Sequence, residues 1–176
     1  MKSNLLKLSF NSAIQSSTIL NKSALIMDDL DRRILTVLQK NNRLSFAELA
    51  DLVGSSAASC MRRVNKLRAD GVIVADVCLI DPKALGKSMT VVVRLELDRE
   101  RLDLVDEFKR AMRAAKEVTH CYMVTGDSDF VLIVTVEDVE GFDVFVKTKL
   151  YTNPNVRKFQ SMIVLDQVKF EPRLLI

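Results

Sequence analysis

The sequence predicts an α+β protein of two domains, a helix-turn-helix followed by a ferredoxin-like βαββαβ unit. Apolar residues recur at helical spacing in the first half, and they alternate with polar residues in parts of the second half. There the strand and helix patterns follow one another in the order β-α-β-β-α-β. We expect an N-terminal extension over residues 1–26, the helix-turn-helix domain over 27–80, a hinge over 81–87 and the βαββαβ domain over 88–176.

The composition is that of a folded protein and excludes several classes. Of the 176 residues, 48% are hydrophobic and 28% are charged, which argues against disorder along the whole chain. No apolar run approaches the roughly 18–20 residues that cross a bilayer. The three cysteines, Cys60, Cys78 and Cys121, lie far apart and form no Cys-x-x-Cys. We therefore expect no disulfide framework, no zinc ribbon and a cytoplasmic location.

The first 26 residues differ from the rest of the chain. They hold three lysines but no arginine and no acidic residue, and polar residues interrupt the apolar core that a signal peptide needs. We expect a disordered extension, with Met27 as a start just before the folded region. The alternative is a basic arm that touches DNA phosphates.

The basic residues are concentrated in the first half. Residues 1–80 contain 11 Lys and Arg against 7 Asp and Glu, a balance of +4. Residues 81–176 contain 15 against 16, a balance of −1. A basic half joined to a neutral half indicates a module that binds a polyanion, attached to a second module with another task.

Three short helices are predicted between residues 28 and 71. The first carries one apolar stripe, formed by Leu30, Ile34, Val37 and Leu38. The second begins with the capping box of Ser45 and Glu48, whose side chains satisfy backbone amides, and it ends at Gly54. The third runs from about residue 56 to residue 69 directly after this glycine turn. The last two helices therefore form a helix-turn-helix.

The third helix has a polar and basic face that suits a DNA groove. It carries hydroxyls at its start and cations further along, namely Ser55, Ser56, Ser59, Arg62, Arg63 and Lys66. In a helix that enters the major groove, the N-terminal side chains reach base edges and the basic ones neutralise phosphates. The alternative is an ordinary solvated face. The capping box, the glycine turn and the charge asymmetry together favour double-stranded DNA as the partner.

Two β-prone stretches, 72–74 and 77–80, follow the third helix and suggest a small ribbon or a linking strand. Beyond the break at Asp81-Pro82, the patterns predict a strand over 88–97, a helix over 99–116, strands over 118–124 and 130–136, a helix over 141–151 and a long last strand over 156–168. Both helices would cover one face of the sheet. Because nothing in the chain covers the other face, we predict at least a dimer.

Residues for catalysis or for metal binding are few. His120 and Cys121 are neighbours on one predicted strand and point to opposite faces, so they cannot chelate one ion together. No second histidine, nucleophile-and-base pair, phosphate-binding glycine loop or His-Glu-x-x-His motif is present. We therefore expect no enzyme, no cofactor and no metal site.

Several stretches, taken in order, resemble the Lrp/AsnC (leucine-responsive and asparagine-regulator) family of transcriptional regulators. They are LDRRIL at 30–35, RVNKL at 63–67, GVI at 71–73, DP at 81–82, LG at 85–86 and VTGDSDF at 124–130. The resemblance covers Asp28 to Ile176. It implies a winged-helix-type DNA-binding domain, a ligand-sensing βαββαβ domain, dimers that often assemble to octamers, and a response to amino acids.

The resemblance makes the loop Gly126-Asp127-Ser128-Asp129 the expected effector site. Gly126 lets the backbone approach a ligand, backbone amides can take a carboxylate, and Asp127 or Asp129 can take an ammonium. The resemblance also implies a ligand contact for the hydroxyl of Ser161. The family commonly has an aromatic residue where Ser128 stands, so we expect a pocket of different shape. On pattern alone the loop is an ordinary hairpin turn.

The leading hypothesis is a sequence-specific, DNA-binding transcriptional regulator whose assembly or DNA binding responds to a small effector, an amino acid. The alternative is an architectural DNA-compacting protein whose second domain only oligomerises. Both functions need the same helix and the same bare sheet face, so a response to an amino acid separates them. A third reading, an enzyme built on the second domain, would require turnover of an amino acid.

Overall fold

The computed structural model describes residues 27–99 and 101–176. These residues form two compact units, one made of residues 27–77 together with Glu171–Ile176 and the other of Cys78–Phe170. The units begin and end at other residues than the predicted domains. The predicted hinge lies in the second unit, where Pro82–Leu85 form a 3-10 turn, and the last six residues lie in the first unit. The predicted extension over 1–26 falls outside the described residues.

Three helices build the first unit, α1 (Asp29–Leu38), α2 (Phe46–Val53) and α3 (Ala57–Ala69). Three residues, Gly54 to Ser56, join α2 to α3, which confirms the predicted helix-turn-helix. The apolar stripes of the three helices meet in one core, made of Ile34, Leu35, Leu49, Ala50, Val53, Cys60, Val64 and Leu67. This core holds α3 by its apolar side and leaves the opposite side of α3 exposed.

Side-chain caps fix where α1 and α2 begin, and a glycine fixes where α2 ends. The Ser45 hydroxyl accepts the Glu48 amide at 3.2 Å, and the Glu48 carboxylate accepts the Ser45 amide at 2.8 Å, so the predicted capping box is present. Asp28 and Asp31 form a second capping box at the start of α1. Helix α2 ends at Gly54, whose φ of +66° lies in the left-handed region that glycine adopts without strain.

These caps make the stability of the first unit sensitive to acid. Hydrogen bonds from the Ser45 hydroxyl and the Ser45 amide hold the pKa of Glu48 below its usual 4.5. The Asp31 amide, followed by the Arg63 guanidinium, holds the pKa of Asp28 below its usual 3.8. A carboxylate whose folded pKa is depressed stabilises the fold fully above its unfolded pKa, and this contribution is lost as the pH falls through the folded pKa.

We expect Glu48→Gln to flatten this dependence. The glutamine keeps its place beside Ser45 but has no proton to gain, so the variant should lose less thermal stability than the wild type between pH 6 and pH 3. Thermal unfolding followed by circular dichroism at a series of pH values measures this loss. The matched control is Asp51→Asn, which removes an exposed carboxylate from the same helix. Equal losses in the wild type and in Glu48→Gln would contradict the assignment.

The segment that follows α3 does not form the predicted ribbon or linking strand. Residues 74–81 have no regular structure, and Val74, Val77, Leu79 and Ile80 are exposed. A strand requires a neighbour to pair its backbone amides and carbonyls, and the one sheet in the described part of the chain contains no strand from this segment. Side-chain propensity alone therefore misled the prediction here.

The second unit has the predicted βαββαβ order. Its elements are β1 (Met89–Leu97), α4 (Leu102–Ala114), β2 (Val118–Met123), β3 (Phe130–Val136), α5 (Val139–Phe145) with a following π-helical turn (Val146–Leu150), and β4 (Val156–Ile163). The strands lie in the order β2-β3-β1-β4, and every neighbouring pair is antiparallel. The last strand is shorter than predicted, because Ile163 already pairs with Val91 close to the start of β1.

The two faces of this sheet differ. One face packs against the helices and carries the core of the unit, in which the rings of Phe108 on α4 and Phe130 on β3 lie 4.8 Å apart. The register places a second set of apolar side chains on the other face, namely Val92, Val131, Ile133 and Met162, with His120 and Tyr122 beside them. These side chains are all partly or largely exposed, so the described residues cover only one face.

None of the helices in the described ranges is both long enough and apolar enough to cross a membrane.

Candidate DNA-binding helix and effector cleft

The exposed side of α3 carries most of the predicted DNA-binding residues. Ser56 is the N-cap and accepts the Ser59 amide at 3.2 Å, while Ser55 and Ser59 are half-buried. Arg62 and Lys66 are exposed, and neither forms an ion pair with the described residues. They lie four residues apart, so they follow one another along one side of the helix. Asn65, which the sequence analysis did not single out, is exposed between them.

Arg63 has a different environment from its neighbours. Its guanidinium donates to the Asp28 carboxylate at 2.5 Å and to the Asp31 carboxylate at 3.2 Å, both at the start of α1. Helical spacing puts Arg63 at the edge of the apolar stripe, between the core and the exposed side. The structure therefore corrects its placement on the exposed face, because this residue ties α3 to α1.

A cleft lies at one corner of the sheet, on the face that the helices do not cover. It has a volume of about 150 Å³, and its walls are Arg94 and Glu96 of β1, Asp127 and Ser128 of the loop before β3, and Lys158, Phe159 and Gln160 of β4. We call it the corner cleft. The register explains its position, since Arg94 pairs with Gln160 and Glu96 pairs with Lys158 on adjacent strands.

One of the four predicted effector residues lines this cleft, and a second directly precedes it in the chain. Asp127 lines it, and the adjacent Gly126 has a φ of +116°, with no heavy atom within 4 Å of where a Cβ would stand. Asp129 is not in the cleft, because its carboxylate accepts the Leu97 amide at 2.7 Å. Ser161 pairs with the buried Val93, which places its side chain on the helix-covered side of the sheet.

Four polar cleft residues escaped the sequence analysis, and a fifth, Ser128, entered it only as part of the predicted loop. Ser128 is buried, and its hydroxyl accepts a hydrogen bond from Arg94 Nε at 3.2 Å. The other four stand at alternate positions of β1 and β4, namely Arg94, Glu96, Lys158 and Gln160. Charged residues that recur with period two opposite a buried apolar set were the available signal. The sequence does not show that β1 and β4 are neighbours, so these residues could not be assigned to one site from the sequence alone.

Of the four charged side chains that line the cleft, one forms an ion pair with a described residue. Glu96 forms an ion pair with Arg157, which lies outside the cleft. Arg94, Lys158 and Asp127 form no ion pair within the described ranges. The cleft therefore presents two unpaired cations and one unpaired anion to a ligand, a set that can take both carboxylate and ammonium groups.

Asp129 holds the loop against the end of β1 through the Leu97 amide, and this contact leads to a prediction. Replacing Asp129 with Ala leaves the half-buried Leu97 amide without its acceptor, and an unsatisfied buried donor costs about 1–3 kcal/mol. We expect Asp129→Ala to lower the free energy of unfolding by about this amount in urea denaturation. The control, Asp127→Ala, removes an exposed carboxylate of the same loop and should leave stability nearly unchanged. Similar losses in the two variants would contradict this assignment.

Comparison with known proteins gives matches over both units. Residues 27–68 match the AsnC-type helix-turn-helix domain, and residues 90–174 match the Lrp/AsnC ligand binding domain. An uncharacterized HTH-type transcriptional regulator of Sinorhizobium fredii is 46% identical, over 88% of this chain and 91% of that protein. The leucine-responsive regulatory protein of Escherichia coli is 33% identical, over 85% of this chain and 92% of that protein.

Solved structures agree with these matches. A transcriptional regulator of Neisseria meningitidis in complex with L-methionine has a TM-score of 0.80 at 30% identity, covering 85% of this chain and 96% of that one. An AsnC family regulator of Agrobacterium tumefaciens has a TM-score of 0.80 at 34% identity, covering 85% of this chain and 97% of that one.

Proposed function

Since the chain belongs to the Lrp/AsnC family of helix-turn-helix transcriptional regulators, we propose that it contacts double-stranded DNA with α3 and that a free amino acid in the corner cleft alters this binding. A role on DNA is consistent with the cytoplasmic location that the sequence predicts. The observation that carries the effector proposal is the corner cleft, whose walls offer partners for both charged groups of an amino acid.

The exposed side of α3 supports the DNA contact. Ser55, Ser56 and Ser59 stand at the N-terminal end of the helix, from which side chains of a recognition helix reach base edges. Arg62 and Lys66 stand one and two turns further on, where cations neutralise phosphates. Arg63 acts indirectly, since its ion pairs with Asp28 and Asp31 hold α3 in place.

The uncovered sheet face supports a dimer. Val92, Val131, Ile133 and Met162 form an apolar patch that a second copy of the chain would bury. A dimer would present two recognition helices to two DNA half-sites about 34–36 Å apart, one turn of the double helix. An effector that favours one arrangement of the subunits would change DNA affinity by a coupling free energy of about 1–3 kcal/mol.

A thermal-shift screen of the purified chain against the twenty amino acids tests the effector proposal. A ligand at about 100 times its dissociation constant adds about 2.7 kcal/mol of stability if it binds only the folded protein. We expect one or a few amino acids to raise the melting temperature by several degrees. A flat screen with a protein that folds and binds DNA would contradict the effector proposal and favour the architectural alternative.

A further inference from the structure

We propose that the effector is a dicarboxylic amino acid, glutamate or aspartate, whose two carboxylates are bound by Arg94 and Lys158 and whose ammonium is bound by Asp127. This inference rests on the proposed function and names the chemical class of its ligand. The corner cleft carries unpaired charges of both signs, and its walls contain almost no apolar side chains.

The charge balance of the cleft points to this class. With Glu96 engaged by Arg157, the unpaired groups at the cleft are the Arg94 guanidinium, the Lys158 ammonium and the Asp127 carboxylate. Their complement is a molecule with two anionic groups and one cationic group, which is the charge pattern of glutamate and aspartate at neutral pH. A neutral amino acid would leave one of the two cations unmatched, and a basic one would set like charges together.

The walls of the cleft disfavour an apolar effector side chain. Phe159 is the one apolar residue among those that line the cleft, and its side chain packs against the core on the other face, since Phe159 pairs with the buried Leu95. Pockets that take aliphatic or aromatic groups are lined mainly by apolar side chains, whose burial supplies the binding free energy. The corner cleft instead offers hydrogen-bonding and charged groups on both strands. Its volume of about 150 Å³ leaves room only for a small ligand.

The geometry of Arg94 favours carboxylate binding. Its Nε donates to the buried Ser128 hydroxyl at 3.2 Å, which restrains the side chain and leaves both terminal nitrogens for a ligand. A guanidinium held in this way can bind a carboxylate through two parallel hydrogen bonds. Ser128 therefore positions the Arg94 side chain, because its hydroxyl accepts the hydrogen bond from Arg94 Nε.

The second cation lies within reach of the same ligand. Arg94 pairs with Gln160, and Lys158 is two residues along β4 from Gln160, so Arg94 and Lys158 are diagonal neighbours on one face. Diagonal neighbours on adjacent antiparallel strands lie about 7–8 Å apart at the backbone. Flexible side chains across this distance can hold the two ends of one dicarboxylate.

Calorimetric titration of the full-length protein tests the inference with isosteric pairs. L-glutamate is compared with L-glutamine, and L-aspartate with L-asparagine, because each pair differs in charge but hardly in shape. We expect one of the two acids to bind at least tenfold more tightly than its amide. Lys158→Gln should reduce this preference about tenfold. The control Lys116→Gln, which replaces an exposed lysine outside the cleft, should leave it unchanged.

A charge reversal gives the second variant. Lys158→Glu leaves one cation and two anions at the cleft, so this variant should bind L-lysine more tightly than L-glutamate. Lys158 is exposed on an edge strand, so both substitutions preserve the core, and melting curves check this.

The outcomes separate the inference from the proposed function. Tight binding of an apolar amino acid, or equal binding of glutamate and glutamine, would overturn the dicarboxylate inference while leaving amino-acid sensing intact. A glutamate preference that Lys158→Gln does not reduce would overturn the assignment of the cleft. An absence of binding by all twenty amino acids would overturn both the inference and the effector part of the proposed function.

Discussion

Replacing Arg62 and Lys66 together with alanine is expected to weaken DNA binding at every sequence and to flatten its dependence on salt. Both side chains are exposed on α3 and have no ion-pair partner in the described ranges, so they are available to phosphates. Each phosphate contact contributes about −0.9 to the slope of log affinity against log salt concentration. The slope of the double variant should therefore be less steep by nearly 2. Fluorescence anisotropy with a labelled duplex at a series of salt concentrations measures this slope.

Two further variants make this result specific. The control is a double variant, Lys87→Ala with Lys116→Ala, which removes the same net charge from exposed positions of the second unit. The salt slope of this control should match that of the wild type. Arg63→Ala should lower the melting temperature, because Asp28 and Asp31 lose their cation, but should change the slope little. An unchanged slope in the Arg62 and Lys66 double variant would mean that α3 is not the recognition helix.

Phe108→Ala is expected to have the largest effect on stability. The ring is fully buried beneath the sheet and lies 4.8 Å from the ring of Phe130. Removing a buried phenylalanine costs about 3–5 kcal/mol, because the lost transfer free energy is joined by the cavity that remains. Denaturant unfolding of the full chain measures this loss as a lower midpoint for the second unit.

The same helix provides the control for this prediction. Leu102 is 80% exposed at the start of α4, so Leu102→Ala should change the free energy of unfolding by no more than about 0.5 kcal/mol. Comparable losses in the two variants would mean that α4 does not cover the sheet through Phe108. Phe130 directly follows the loop that lines the cleft, so we also expect Phe108→Ala to weaken effector binding.

The three helices of the first unit were predictable because their signals are local. Ser45 and Glu48 lie three residues apart, and Gly54 directly follows the helix that they begin, so the chemistry of both ends can be recognised without a partner. Arg63 shows where local reasoning stops. Its carboxylate partners lie 32 and 35 residues away, and only the packing of α1 against α3 brings these three side chains together.

The second unit was predictable in its order but not in all of its site residues. Alternation in β1 and β3 is clear because every second residue is buried. Edge strand β4 shows no such contrast, so the side on which Ser161 lies became known only from its pairing with Val93. Asp129 was selected for its charge, but the Leu97 amide that it caps comes from a different strand.

The proposed function joins DNA recognition to an amino-acid response in one chain. Selection of duplexes from a random library by the full-length protein, with and without a pool of the twenty amino acids, tests it most directly. We predict enriched duplexes with two half-sites about 10–10.5 base pairs apart, whose retention changes at least about fivefold when the amino acids are present. Enrichment without a shared sequence, equal in the two conditions, would contradict this proposed function and identify an architectural DNA-binding protein.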